Sequence, residues 1–148
     1  MKYYAVVDTN VLVSALLSKK DDAATVQVFQ RILVGDVIPL YSNETMAEYR
    51  EVLARRKFKF DNEVVNYVLS AIEKFGMLVT PSPTGAVLPD LDDLPFYEIV
   101  MERIDDNPYL VTGNIKHFPQ KDFVVTPSEM IYRMNSAVKE NISLSSLI

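Results

Sequence analysis

The sequence predicts an α/β fold, with a mainly parallel sheet of about five strands sandwiched by helices. Three observations carry this expectation. Short β-branched or aromatic runs alternate with stretches of helical period. Glycines, prolines and capping residues mark the changeovers. No repeat, low-complexity tract or linker breaks the alternation, so 148 residues read as a single domain over 1–148. A chain of this length buries roughly 68–70% of the surface its unfolded form exposes, enough for a core without staples.

The elements follow in order. Tyr3 to Val7 is a β-rich run and the first strand. Asn10 to Leu17 has Val11, Leu12, Ala15 and Leu16 near helical spacing. Asp21 or Asp22 caps a second helix, Ala23 to Val34, with Val26, Phe29 and Leu33 on one face and Gly35 as its stop. Val37 to Tyr41 is the second strand. Ser42 or Asn43 then caps a helix to about Arg56 whose inner face is Met46, Tyr49 and Leu53. Asp61 or Asn62 caps the next, apolar at Val64, Val65, Val68, Leu69, Ile72 and Phe75 and ended by Gly76. Met77 to Thr80 is the third strand. Pro81 to Pro89, with three prolines and a glycine, is a loop. A helix from about Leu94 to Ile104 follows, then strands at Tyr109 to Thr112 and Phe123 to Val125. Pro127 and Ser128 start a short helix carrying Met130, Ile131 and Met134. A polar tail from Asn135 ends in LSSLI, free to fray or to dock on a partner.

Composition narrows the function classes. With no cysteine, disulfides and thiolate metal sites are excluded, and a reducing compartment is permitted. MKYYAVVD shows no secretory pattern, and no segment has the ~20 apolar residues of a membrane span, so a cytoplasmic location is expected. The net charge of −5 argues at first against nucleic acid. It is unevenly spread. Residues 1–60 carry nine Lys/Arg against seven Asp/Glu, whereas 61–148 carry six against thirteen. Four of the cations are Arg55, Arg56, Lys57 and Lys59.

Alternating strands and helices imply a parallel sheet, which binds ligands outside the carboxyl ends of its strands. Polar residues just past the strands are therefore the candidates. Asp8 follows the first strand directly. Glu48 sits on the helix after the second. Asp90, Asp92 and Asp93 open the helix after the third, and Asn114 follows the fourth. Carboxylates gathered at one edge raise each other's pKa unless a cation holds them. Oxygen donors with no cysteine and one histidine favour magnesium or manganese over zinc. Such a site supports hydrolysis of a phosphodiester by metal-activated water, with no side-chain nucleophile.

Four segments, VVDTNVLVSALL, SNETMAEYREVLARRKF, DLDDLPFYEIVME and YLVTGNIKHFP with VVTPSEMI, together resemble a PIN-domain protein, most closely the bacterial branch of toxins from toxin–antitoxin pairs. The likeness runs from Lys2 to about Met134. DTN followed later by VTGN-x-x-HFP is its most specific part. The resemblance implies a three-layer PIN-like sandwich and a magnesium- or manganese-dependent endoribonuclease. It also implies a homodimer and inhibition by an antitoxin protein. Asp8, Glu48 and Asp93 match the family's first three carboxylates, and Asp90 a position often acidic in this branch. Asn114 stands where many relatives carry a fourth Asp, which puts a second metal in doubt. Glu98 is a candidate for the missing charge, although five residues from Asp93 is about 140° around a helix. Asn10 and Thr112 are expected to support the ligands, and Arg55, Arg56 and Lys116 to meet substrate phosphates. Single-stranded RNA or an exposed loop is the expected substrate, cleaved to a 5′-phosphate and a 3′-hydroxyl.

Other readings remain open on the sequence. Asp8 suits a helix cap, with Thr9 or Asn10 sharing the work. Glu48 suits a solvated residue paired with Arg50 or Arg55. Asp93 suits an N-cap, and Gly113 with Asn114 an ordinary turn. His117 suits packing beside Phe118 or capping of the turn better than acid–base work. Arg55 to Lys59 suits a solvated helix end. At the level of function, the alternatives are a PIN-like module that binds RNA or protein with a weakened metal site, and a phosphatase using Asp8 as nucleophile. The second is disfavoured by Asn10, where an acid would be expected.

Overall fold

A computed structural model describes residues 2–147, with only the backbone described from 139 onward. Five strands form one sheet in the order β3-β2-β1-β4-β5, every pairing parallel. They are β1 (Tyr3–Val7), β2 (Val37–Tyr41), β3 (Met77–Leu78), β4 (Tyr109–Val111) and β5 (Val124–Val125). Six helices flank the sheet: α1 (Thr9–Leu17), α2 (Ala24–Leu33), α3 (Asn43–Leu53), α4 (Asn62–Phe75), α5 (Leu94–Glu102) and α6 (Pro127–Leu147). This is the predicted α/β sandwich.

The strand order follows from burial. β1 lies in the middle, and its Ala5, Val6 and Val7 are almost wholly buried, the continuous apolar run of a strand covered on both faces. Ile32, Leu40, Tyr49, Phe96, Ile99, Leu110, Met130 and Met134 complete the core. The chain winds outward from β1 through β2 to β3, then crosses back to β4 on the other side. The order therefore reverses between β1 and β4, the place past whose carboxyl ends such sheets bind ligands.

Local chemistry fixes the helix starts and stops. Ser42 caps α3 in a reciprocal box: its Oγ accepts from the Thr45 amide at 3.1 Å, and the Ser42 amide donates to Thr45 Oγ1 at 2.9 Å. Asp61 caps α4 by accepting from the Glu63 amide. Gly76 ends α4 in extended backbone (φ −102°), where a Cβ would lie 2.4 Å from the carbonyl oxygens of both Ile72 and Pro39. Only glycine lets α4 close so tightly onto β2.

Some expected boundaries move. α3 ends at Leu53, and a single 3-10 turn, Arg56–Phe58, replaces its last predicted residues. β3 is two residues long because the chain leaves the sheet after Val79, whose amide still donates to the Tyr41 carbonyl at 2.7 Å. The last helix is longer than expected and runs to Leu147, since no glycine or proline follows Pro127 to stop it. Docking by the side chains of LSSLI lies outside the described residues. Among the described residues no helix is long and apolar enough to cross a membrane.

Candidate functional site

Asp8 lies at the topological switch. Its amide donates to the Val111 carbonyl at 2.9 Å, extending the β1–β4 ladder by one bond, and the residue is 5% exposed. It occupies the N-cap position of α1, yet its carboxylate makes no cap hydrogen bond. The nearby backbone of Thr9 and Asn10 lowers its pKa, against the larger effect of burial. The carboxylate is instead held from across the sheet. Oδ2 accepts from the Thr112 hydroxyl at 2.7 Å and from Asn10 Nδ2 at 3.2 Å.

Thr112, wholly buried after β4, connects in the other direction too, since its Oγ1 accepts from the Asn114 amide at 2.9 Å. Asn10 Oδ1 accepts from the Gly113 amide at 3.1 Å. Asn10 therefore ties the start of α1 to the turn after β4 with one side chain. These two residues, expected from sequence to support the ligands, clamp Asp8 between two strand ends.

The second carboxylate comes from α3. Glu48 accepts a short hydrogen bond from the Thr9 hydroxyl. It pairs with neither arginine that sequence offered it, because Arg55 bonds Glu51 at 2.9 Å and Arg50 lies 3.8 Å from Glu73. Next to it the buried Tyr49 hydroxyl donates to the Val7 carbonyl, which fixes α3 against the end of β1. Thr9 was missed as a site residue. Its signal was available, because it stands on the first turn of α1 directly after Asp8.

The third carboxylate stands at the head of α5. A single 3-10 turn, Leu91–Asp93, leads into the helix, and Asp90 stabilises that turn by accepting from the Asp92 amide at 2.9 Å. Asp93 bonds no amide of α5 through its side chain. Its Oδ2 lies 3.2 Å from Nδ1 of His117. His117, expected to pack or cap its turn, thus joins the segment after β4 to an acid at the head of α5.

The three carboxylates feel one another. Burial raises the pKa of Asp8, against the Thr112 hydrogen bond. Burial also raises Glu48, with the charges of Asp8, Asp92 and Asp93 adding to it and the Thr9 hydrogen bond opposing. Asp93 is pushed up to about 6 by burial first, then by Asp8 and Asp90, with His117 opposing. Like charges in a recess favour either protons or a cation. Among the described residues no three His, Asp or Glu side chains are already gathered closely enough to hold a metal ion directly.

Other candidates fall elsewhere. The Glu98 carboxylate accepts from the Thr84 amide at 2.6 Å and hydroxyl at 3.1 Å, so it anchors the proline-rich loop. The Asn114 side chain is exposed and makes no hydrogen bond among the described residues. Asp90 is exposed. Arg55 bonds Glu51, which raises its pKa most, with the charges of Glu48 and Asp92 adding to it. Arg56 and Lys116 are exposed and form no ion pair among the described residues. Lys116 lines a cavity of about 360 Å³ with Phe118, Lys121 and Val124.

Compared with known proteins, residues 4–116 match a family described as the PIN domain. Neither a curated protein nor a solved structure matches the chain.

Proposed function

The chain belongs to the PIN-domain family, a family of nucleases in general, and from that premise we propose that it is a magnesium- or manganese-dependent endoribonuclease. One observation supports this most. Asp8, Glu48 and Asp93 come from three different elements past the strand ends, and burial raises the pKa of each, with the charge of Asp8 adding at Glu48 and Asp93.

The donor set fits a hard divalent cation. It offers carboxylate oxygens and no thiolate. Its acids are coupled through their charges without closing on a common point. Magnesium suits that spacing, because it keeps several of its waters and needs only one or two direct carboxylates. Asp8, Glu48 and Asp93 would hold it, with Asp90 at the rim. When bound, such an ion supplies a water of lowered pKa and positive charge at the leaving oxygen.

The chain's own residues supply orientation. Thr112 and Asn10 fix which oxygen of Asp8 is engaged, and leave the other as the ligand. Thr9 does the same for Glu48, and His117 for Asp93. Each is a side chain bonded to a ligand, the arrangement by which outer partners hold ligand geometry. Within the family we assign the chain to the toxin branch, on the likeness of its motifs. Its cellular setting is then the cytoplasm, its inhibitor an antitoxin protein and its assembly a homodimer.

The test compares wild type with Asp8→Asn on a panel of RNAs with manganese. Wild type should cleave and Asp8→Asn should not. Equal cleavage by both removes the reading. The exposed, unattached Asn114 supports a second reading, a PIN module that binds RNA without cutting it. Calorimetric titration with manganese decides between them. Binding that Asp8→Asn abolishes supports the nuclease, and no binding at millimolar metal supports the module.

A further inference from the structure

The segment after α3 combines two properties found together nowhere else among the described residues. The first is charge. Arg55, Arg56, Lys57 and Lys59 put four cations into six residues with no acid among them, in a protein of net charge −5. Among the described residues only Arg55 is in an ion pair, with Glu51. The second is aromatic. Phe58 and Phe60 stack with ring centroids 5.3 Å apart and planes within 9° of parallel. Both rings are partly buried, and Phe60 packs against the core whereas Phe58 does not. The Phe58 ring is therefore backed by an anchored ring, with the Lys57 ammonium 5.1 Å from its centroid. Lys59 adopts a left-handed conformation (φ 56°), a kink that separates the two rings in sequence and brings them together in space.

Ordinary packing does not account for this arrangement. Lys57 lies over the Phe58 ring, but packing of a half-buried phenylalanine has no need of Arg56 and Lys59 beside it, which form no ion pair among the described residues. Stacked rings with cations beside them are instead the elements that hold a single strand, the rings taking bases and the cations the phosphates between them. The position suits this too. Arg55 lies two residues past the end of α3, the helix that carries Glu48. The segment thus leads on from the helix that supplies one of the acids.

We propose that Arg55–Phe60 is a binding platform for single-stranded RNA, with one unpaired base on the Phe58 ring and adjacent phosphates on Arg56, Lys57 and Lys59. The assignment of RNA as the strand rests on the nuclease reading, but stacking and phosphate binding at this segment do not depend on cleavage. The platform would take the strand on one side of the scissile bond, and a duplex, whose bases are already stacked, would not engage it.

Binding is measured by fluorescence anisotropy on the full chain in chelator, where no cleavage occurs, with labelled single-stranded RNA of about a dozen nucleotides. Phe58→Leu keeps the apolar bulk and removes the π face. It should weaken binding on the order of tenfold, and Phe58→Trp should match or exceed wild type. Lys57→Ala should lower the salt slope by about 0.7, the value for one phosphate contact on a single strand. Circular dichroism melting establishes that each variant is folded. The proposal is overturned by Phe58→Leu binding like wild type, by duplex RNA binding as tightly as the single strand, or by no binding of wild type at all. Cleavage with manganese is scored separately. Cleavage with an unaffected Phe58→Leu leaves the nuclease and removes the platform, and the converse leaves the platform and removes the nuclease.

Discussion

Replacing Asp93 with asparagine should stabilise the metal-free protein at neutral pH. In the folded state the carboxyl titrates at about 6, against an ordinary 3.8. At about 1.4 kcal/mol per pH unit, its charged form is disfavoured by roughly 3 kcal/mol. The side chain is 14% exposed, so water screens part of this field. Asparagine also keeps a weaker hydrogen bond with His117. The net gain expected for Asp93→Asn is therefore about 1–2 kcal/mol near pH 7. The sign in pH follows from proton binding. Between pH 3.8 and about 6 the folded protein holds a proton that the unfolded chain has released. Stability contributed by this group is present below that window and is lost as pH rises through it. Urea denaturation of both proteins in chelator, near pH 4 and near pH 7, reads both effects. Asp93→Asn should be the more stable at pH 7, and the gap should close toward pH 4. A variant less stable than wild type at pH 7, or a gap independent of pH, would refute the picture of a carboxylate held at a cost by its neighbours.

Other substitutions test separate parts of the argument. Thr112→Val keeps the shape but leaves the buried Asp8 Oδ2 with only the 3.2 Å bond from Asn10, which should cost about 1–2 kcal/mol in urea denaturation and reduce cleavage. An unchanged midpoint would remove the clamp. Gly76→Ala drives a Cβ against two carbonyl oxygens at 2.4 Å and should destabilise by at least about 2–3 kcal/mol, read as a lower melting temperature. Glu98→Ala should leave cleavage unchanged while speeding proteolysis of the 81–89 loop, since its work is at Thr84. Lost cleavage with an intact loop would return Glu98 to the site.

Much of the architecture is legible in the residues. β1 and β2 have the bounds their apolar runs suggest, and Gly76 stops α4 where it stands in the sequence. The edge strands are less readable. β3 and β5 are two residues each, lengths set by what their neighbours leave to pair with. α6 outruns its apolar period because nothing breaks the backbone after the apolar face ends. At the site, the rule that ligands gather at strand carboxyl ends brings Asp8, Glu48 and Asp93 to a common edge. It says nothing of the partners that orient them. Thr9 reaches Glu48 and His117 reaches Asp93 across 39 and 24 residues of sequence. Periodicity carries no information on pairs so far apart. Glu98 shows the reverse, an acid expected near the site whose carboxylate bonds the 81–89 loop.

The crossing from β3 back to β4 runs through residues 81–89, where Thr84 and Gly85 are exposed and Val87 is 92% exposed. A cut there would part the acids unequally. Asp8, Glu48 and the Arg55–Phe60 segment would remain on one fragment, while Asp93, Thr112 and His117 would go to the other. Neither fragment would own a complete centre. β1 and β4, adjacent in the sheet, would be the seam along which the pieces rejoin. The protein is in that sense already laid out as two complementary halves, whose recombination would be required for any activity of these acids.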